Sequence, residues 1–310
     1  MIAESLSVLD SVHLNFSQGG LLIMNITLAF IMFGVALDID LSSFKNIILK
    51  PKSVIIGVIS QFFLLPFVTY ILVLVIHPTP AVALGMILVA ACPGGNISNF
   101  ISSLAKGNIE LSVSLTGIAT LGALFMTPLN FTFWGSLYVK SHPLLRPIEI
   151  DPVQIFQTIL IILGIPLVIG ILFSKKFPGL SAKIKNPIKV LSILIFMGYV
   201  VAALSLNFNH FLKYIHLIVF IVFAHNALAL LSGFTISSIF KLPRKNRRSI
   251  TIETGIQNSG LGLVLIFNPK LFPPDLELGG MAFIAAWWGV WHIIAGLGLA
   301  FIWSKKPIEE

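Results

Sequence analysis

Stretches of about twenty apolar residues, each long enough to cross a hydrocarbon layer, recur nine times in this chain. They fall at residues 21–39, 52–76, 81–105, 109–136, 153–173, 189–207, 213–240, 246–268 and 279–304. Few folds accommodate that pattern. Lipid offers no partner to backbone N–H and C=O groups, so such a chain crosses as helices that satisfy their own hydrogen bonds. Charged residues make up 10% of the chain against 56% hydrophobic, whereas a water-soluble domain carries roughly a quarter charged residues. The expected fold class is an all-α membrane protein of nine transmembrane helices, one domain over residues 1–310.

The basic residues orient these helices. Lys45, Lys50, Lys52, Lys106, the five lysines from Lys175 to Lys189, Lys241, Arg244, Lys245, Arg247, Arg248, Lys305 and Lys306 all fall at alternate ends of the stretches. The opposite ends hold only Lys140, Arg146, Lys213 and Lys270, a split of sixteen to four. Cytoplasmic loops carry the excess of Lys and Arg, so the N-terminus is expected outside and the C-terminus in the cytoplasm, with the plasma (inner) membrane as the location. The net charge of +8 is spread over loops and forms no nucleic-acid face. The bilayer is the evident partner, and no obligatory protein partner is indicated. Cys92 is the single cysteine, which excludes an internal disulfide and a cysteine-built metal site. The first twenty residues lack a basic n-region and carry Glu4 and Asp10, unlike a cleaved leader. Ile2, Leu6, Leu9, Val12 and Phe16 recur at helical spacing, which predicts a short helix lying in the membrane interface.

Two stretches are interrupted. The third carries CPGGNISN at 92–99, where Pro93 removes a donor and Gly94 and Gly95 tolerate non-helical angles; the eighth carries TGIQNSGLG at 254–262. Each is third in a block of four, and an offset of five spans makes the blocks cross in opposite senses. An inverted repeat with two broken, crossed helices is the expected architecture, with the fifth stretch as the element whose partner is missing. Paired broken helices turn helix ends and free carbonyls toward a cavity at mid-membrane, the signature of a transporter site.

Of twelve acidic residues eleven lie in the N-terminal segment, in loops, at stretch ends or in the C-terminal tail; only Glu253 lies in the interior of an apolar stretch, and no lysine or arginine sits at matching depth. An ionised carboxylate there costs several kcal/mol without compensation, so it is either balanced by a bound cation or protonated. Nearby polar residues suit a hard cation with oxygen ligands. Gln61 lies in the second stretch, Ser98 and Asn99 follow the first break, Ser112 and Thr116 are one turn apart, and Gln257 and Asn258 lie in the second break. Taken singly, such a Ser or Thr bonds its own helix or a neighbour. His225 and Asn226 read as bridges between helices, and Trp287, Trp288 and Trp291 as packing and interfacial groups. No nucleophile with an adjacent base, phosphate loop or metal motif appears, so no catalytic residue is assigned and an enzyme is not expected.

CPGGNISNFISSLAKGNIELSVSLT at 92–116 and TIETGIQNSGLGL at 251–263 resemble the two crossover motifs of the bile acid:sodium symporter family. The likeness extends through GVISQFFLLP at 57–66, VFAHNALALLSGF at 222–234 and WHIIAG at 291–296. It implies sodium-coupled uptake of an organic anion by alternating access, with two sodium ions and no other cofactor. The first sodium site it implies is Ser98, Asn99, Ser112, Thr116 and Glu253. The second is Gln61, Glu253, Gln257 and carbonyls near Thr254 and Ile256. A core of about 52–136 and 213–268 and a moving panel of about 21–39, 153–207 and 279–304 are implied with it. Asn96 and Ile293 depart from residues common in the family near its substrate cavity, where Asn258 supplies donors and His292 either joins it or bonds a neighbouring helix. The alternatives are proton coupling or uncoupled carriage of the anion, and a non-transporting receptor or channel on the same fold.

Overall fold

The computed structural model describes residues 2–12, 18–38, 51–141, 151–206, 208–273 and 276–305. Phe16, Lys45, Lys50, Arg146 and Lys306, used above, lie outside them. The described residues form helices throughout: α1 Ile2–Asp10, α2 Gln18–Asp38, α3 Pro51–Ile76, α4 Pro80–Ala91, α5 Ile97–Leu104 and α6 Ile109–Ser141. They continue as α7 Pro152–Lys176, α8 Pro178–Leu206, α9 Phe208–Ile239, α10 Arg244–Gly255, α11 Ser259–Ile266 and α12 Gly279–Ser304. Among the described residues five helices are long and apolar enough to cross a bilayer: Pro51–Ile76, Ile109–Lys140, Pro152–Lys176, Leu212–Ile239 and Gly279–Ser304. The third and eighth stretches are split into half-helices of 12 and 8 residues each, too short to cross alone at 1.5 Å per residue.

Proline and local capping set several boundaries. Pro51, Pro80, Pro152 and Pro178 open their helices, where a missing N–H costs nothing. Asp151 caps α7, its carboxylate accepting from the N–H groups of Val153 and Gln154. Inside α3 and α7 proline acts differently. The sequence predicts uninterrupted helices here, but Pro66 and Pro166 offer no N–H to the carbonyl four residues back and crowd it. Each helix widens into a π turn just before the proline, at Ser60–Leu64 and at Leu160–Gly164. Leu65 N–H bonds the Ser60 carbonyl and Ile165 N–H that of Leu160, an i to i+5 pattern that concentrates at functional positions.

Packing gathers the half-helices inside the bundle. α4 is buried along nearly its whole length, and so is α11. α10 lies against α9, α5, α6 and α3, while α12 packs on α4, α5, α9 and α11. α2 packs on α7 and α8. The outside carries exposed apolar groups such as Phe63, Phe67, Val75, Phe125, Leu129, Phe133 and Phe220, the surface that lipid rather than water would solvate. Around α1 the structure departs from an interfacial helix. Leu6, Leu9 and Val12 are buried, because α1 packs on α12, α4 and α9 and spends its apolar stripe on protein.

Candidate functional site

The two breaks meet. α4 stops at Ala91, α10 stops at Gly255, and the unwound segments pair antiparallel at Gly94 and Gln257. Gly95 N–H donates to the Ile256 carbonyl at 2.7 Å, and Asn258 N–H to the Pro93 carbonyl at 2.8 Å. The two glycines are there for room rather than for special angles, since among the described residues no glycine has a positive φ. A Cβ on Gly94 would overlap the Glu253 carboxylate, and one on Gly95 would come within 3.2 Å of the Gln257 carbonyl oxygen. Close approach of backbone to a functional group is the other use of a missing side chain.

Glu253, on the last turns of α10, is 3% exposed. Ser98 of α5 donates to its Oε2 at 2.5 Å, Thr116 of α6 to its Oε1 at 2.8 Å, and Ser112 of α6 reaches Oε2 at 3.4 Å. Ser112 and Thr116 share a face of α6, one turn apart, and Asn99 Oδ1 lies 3.2 Å from the Thr116 hydroxyl. Ser98, Ser112, Thr116 and Glu253 of the first predicted set are thus in one hydrogen-bonded group, with Asn99 beside it. Among the described residues the donors to this carboxylate are neutral hydroxyls, so its charge is left for a mobile cation or a proton to balance. Ser102, which the sequence reading omitted, extends the group by receiving the Ser112 hydroxyl at 3.2 Å.

The second set forms a relay of side-chain amides. Gln61 sits in the π turn of α3; its Nε2 donates to the Cys92 carbonyl at 3.1 Å and to Gln257 Oε1 at 2.7 Å. Gln257 Nε2 in turn donates to the Thr254 carbonyl at 2.7 Å, while Ser60 and Thr254 share a hydroxyl bond of 2.8 Å. Gln61 Oε1 is buried with no protein partner. Beside it a cavity of about 10 Å³, the size of one small ligand atom or ion, is lined by Gly57, Val58, Gln61, Phe62, Leu115, Ala119 and Glu253. Gln61, whose Oε1 lacks a protein partner, and Glu253 thus line one small cavity, and amide and carboxylate oxygens are the donor types that a hard cation takes.

The residues predicted for an anion lie at the two breaks and on the part of α12 beside the second. Asn258 caps α11, its Oδ1 accepting from Leu261 N–H at 3.0 Å, which leaves its Nδ2 as the remaining donor. Asn96 precedes α5 without a capping bond of its own and is half-buried. His292 is buried with Nδ1 unpartnered, and Ile293 beside it is half-buried. Both are within a turn of Gly289, which abuts Ser259, and of Gly296, which abuts Ile256 and Ile101, so they are level with the second break. His225 and Asn226 do bridge helices: His225 Nε2 bonds the Thr69 hydroxyl at 2.8 Å and Asn226 Nδ2 donates to the Gly255 carbonyl at 2.7 Å. Trp288 is fully buried against the His225 ring, 4.5 Å between centroids.

Comparison with known proteins follows this chemistry. The model of the sodium bile acid symporter family matches residues 25–214. The uncharacterized sodium-dependent transporter YocS of Bacillus subtilis is 35% identical over 286 residues, 91% of this chain and 83% of that protein. The "Hepatic sodium/bile acid cotransporter" of Rattus norvegicus is 28% identical over 304 residues, 93% of this chain and 80% of that protein. A rice protein named "Probable sodium/metabolite cotransporter BASS1, chloroplastic" is 29% identical over 287 residues, 91% of this chain and 66% of that protein. Several further relatives are longer, the chain spanning 52 to 66% of their length. A family match over more than half of the chain, joined to helices fit to cross a bilayer, makes this an integral membrane protein of a transporter class and not an enzyme. The chain belongs to the sodium bile acid symporter family.

Proposed function

We propose that this protein is a sodium-coupled secondary transporter that takes up an organic anion, such as a bile acid or a related carboxylate or sulfonate, by alternating access. Two sodium ions are its inorganic cargo. One is held by Ser98, Asn99, Ser112, Thr116 and Glu253, the other by Gln61, Glu253, Gln257 and the carbonyls of Thr254 and Ile256. The anion lies against Asn96, Asn258, His292 and Ile293, beside the helix ends freed at the breaks. The chain crosses nine times as an inverted repeat, with its N-terminus outside and its C-terminus in the cytoplasm.

The observation that carries this reading is the Glu253 carboxylate, buried and met among the described residues by hydroxyl donors, in a residue that lines a small cavity together with Gln61, whose Oε1 has no protein partner. A second support is the naming of relatives in the same family for sodium and bile acid or metabolite cotransport. The moving panel in this reading is α2, α7 and α8. We place α12 with the core because it packs on both half-helices of the first break and on α11.

The test is uptake of a panel of labelled organic anions into proteoliposomes under an inward sodium gradient, with potassium as the control. Sodium-specific accumulation above equilibrium is expected for at least one class. Equal accumulation in potassium would point to an uncoupled carrier, and acceleration by an inward proton gradient alone would move the coupling to protons.

A further inference from the structure

Each break releases successive carbonyls from helical bonding, among them those of Ala91, Cys92 and Pro93 in the first and of Thr254, Gly255 and Ile256 in the second. In continuous helices the carbonyls of Ala91, Cys92 and Pro93 would accept from residues 95, 96 and 97, and those of Thr254, Gly255 and Ile256 from residues 258, 259 and 260. The N–H groups of Gly95 and Asn258 instead cross to the opposite segment, and that of Ser259 turns to the Gln257 carbonyl at 2.9 Å. A buried carbonyl without a donor is costly, and each of these six has one. Pro93 and Ile256 are served by backbone N–H groups across the crossover. Cys92 and Thr254 are served by the amides of Gln61 and Gln257. The remaining two take donors from outside the proposed site: Thr127 of α6 donates to the Ala91 carbonyl at 2.8 Å, and Asn226 of α9 to the Gly255 carbonyl at 2.7 Å.

Both donors are buried. Thr127 is fully buried and Asn226 is 1% exposed. One and two turns along α9 from Asn226, Leu230 covers Gly255 and Gly233 lies against the backbone of Ile250 and Thr251, so α9 forms a fixed rail for α10. Gly255 stands between Thr254 and Ile256, whose carbonyls the proposed second cation site uses, and Ala91 precedes Cys92, whose carbonyl holds Gln61. Fixing one peptide plane narrows the tilts open to the next, because only two soft dihedrals separate them.

We propose that Thr127 and Asn226 are a matched pair of positioning residues for cation binding. They touch no ion themselves; each pins a released carbonyl that the site does not use, and so helps to aim its neighbours. This rests on the sodium-site reading above.

The experiment measures thermal unfolding of the purified full chain against sodium chloride, with choline chloride keeping ionic strength constant and no anion present, since a ligand of the native state raises its stability. Wild type sets the sodium concentration giving half the maximal shift. Thr127→Val and Asn226→Leu, close in volume but without the donors, are expected to raise that concentration five- to tenfold. The same variants with the midpoint unchanged and only a lower melting temperature, alike in sodium and choline, would mean a purely structural role and overturn the inference. Should Asn226→Leu fail to accumulate, Thr127→Val, which exchanges one hydroxyl for a methyl, decides by the same criterion. A wild type that sodium does not stabilise beyond choline would overturn the sodium-site reading, and this inference with it.

Discussion

A carboxyl group placed where Glu253 lies can be tolerated with a cation beside it or with a proton on it, and its neighbours bear on which. Two short hydroxyl bonds from Ser98 and Thr116 suit the ionised form, which accepts at both oxygens. Glu253→Gln keeps the volume and removes the charge, so it is expected to abolish sodium-specific thermal stabilisation while the protein still inserts. An unchanged sodium response would show that the assignment of Glu253 is wrong. Losing a hydroxyl costs less, about 1 kcal/mol or a fivefold rise in half-saturating sodium. Thr116→Ala, whose bond is 2.8 Å, is expected to exceed Ser112→Ala, whose contact is 3.4 Å. The glycine at 94 offers a sharper test because the carboxylate occupies the place of its missing side chain. Gly94→Ala displaces either the carboxylate or the crossover, and an at least tenfold weaker sodium response is expected in the same titration; a wild-type midpoint would mean that Glu253 binds from another rotamer. At this scale the sequence was informative about identity and less so about cause. Glu253 stood out as the one acid in the interior of an apolar stretch, whereas Gly94 was read for its backbone angles and serves instead by being small.

Both breaks were legible because proline, glycine and amides interrupt otherwise apolar runs, and those residues cannot continue a helix cheaply. The π turns were not, since SQFFL and LIILG are ordinary helical composition and only the proline two residues beyond betrays them. Equally hidden were the donors that make the irregular segments affordable, because their partners are remote: Thr127 lies 36 residues from Ala91, Asn226 29 from Gly255, and Asn130 68 from Phe62. Asn130 tests the π turn directly. Its Nδ2 donates at 3.0 Å to the Phe62 carbonyl, the one that Pro66 cannot serve. Asn130→Leu is expected to destabilise the protein by about 1–3 kcal/mol through that orphaned acceptor. The loss is expected to shrink in a Pro66→Ala background, where an N–H returns, and a double-mutant cycle of thermal stability with no coupling would refute this account. A second element-level test concerns α1, outside the membrane-spanning helices. Burial raises the Asp10 carboxyl to about 7, against the opposing Thr79 hydroxyl bond and with help from Glu277. The folded chain therefore holds this proton where the unfolded chain has lost it, so the contribution falls as pH rises from about 4 to 7 and is level above. Asp10→Asn is expected to flatten that part of the stability profile and to raise the melting temperature at pH 8; a profile as steep as wild type would assign the slope to other groups.

At the scale of the whole molecule the proposed cycle depends on charge. Half-helices that do not cross alone are held together by backbone pairing at one point, beside which the polar groups of the proposed site gather. The nine apolar stretches announced that bundle in the sequence, but not which helices would move, because packing partners are set by side chains far apart in the chain. Two sodium ions contribute +2 and Glu253 −1 at the proposed site, so the loaded protein carries +1 until a monovalent anion brings it to neutrality, the cheapest state in a low-dielectric bundle. Glu253 stays with the protein, hence the cargo is two sodium ions and one anion, one net positive charge per cycle. A tenfold inward sodium gradient supplies about 1.4 kcal/mol per ion and a 100 mV potential about 2.3 kcal/mol for the net charge, together about 5 kcal/mol. That limit corresponds to an accumulation of a few thousandfold. In proteoliposomes loaded with potassium, valinomycin makes the interior negative and is expected to accelerate uptake of a monovalent anion, with a sodium Hill coefficient above one. A divalent anion under the same conditions is expected to move without net charge and to ignore the potential. Uptake of the monovalent anion that is also indifferent to the potential, with a Hill coefficient of one, would leave a single sodium ion per cycle and remove either the Glu253 and Gln61 site or the Glu253 and Ser98 site from the coupling.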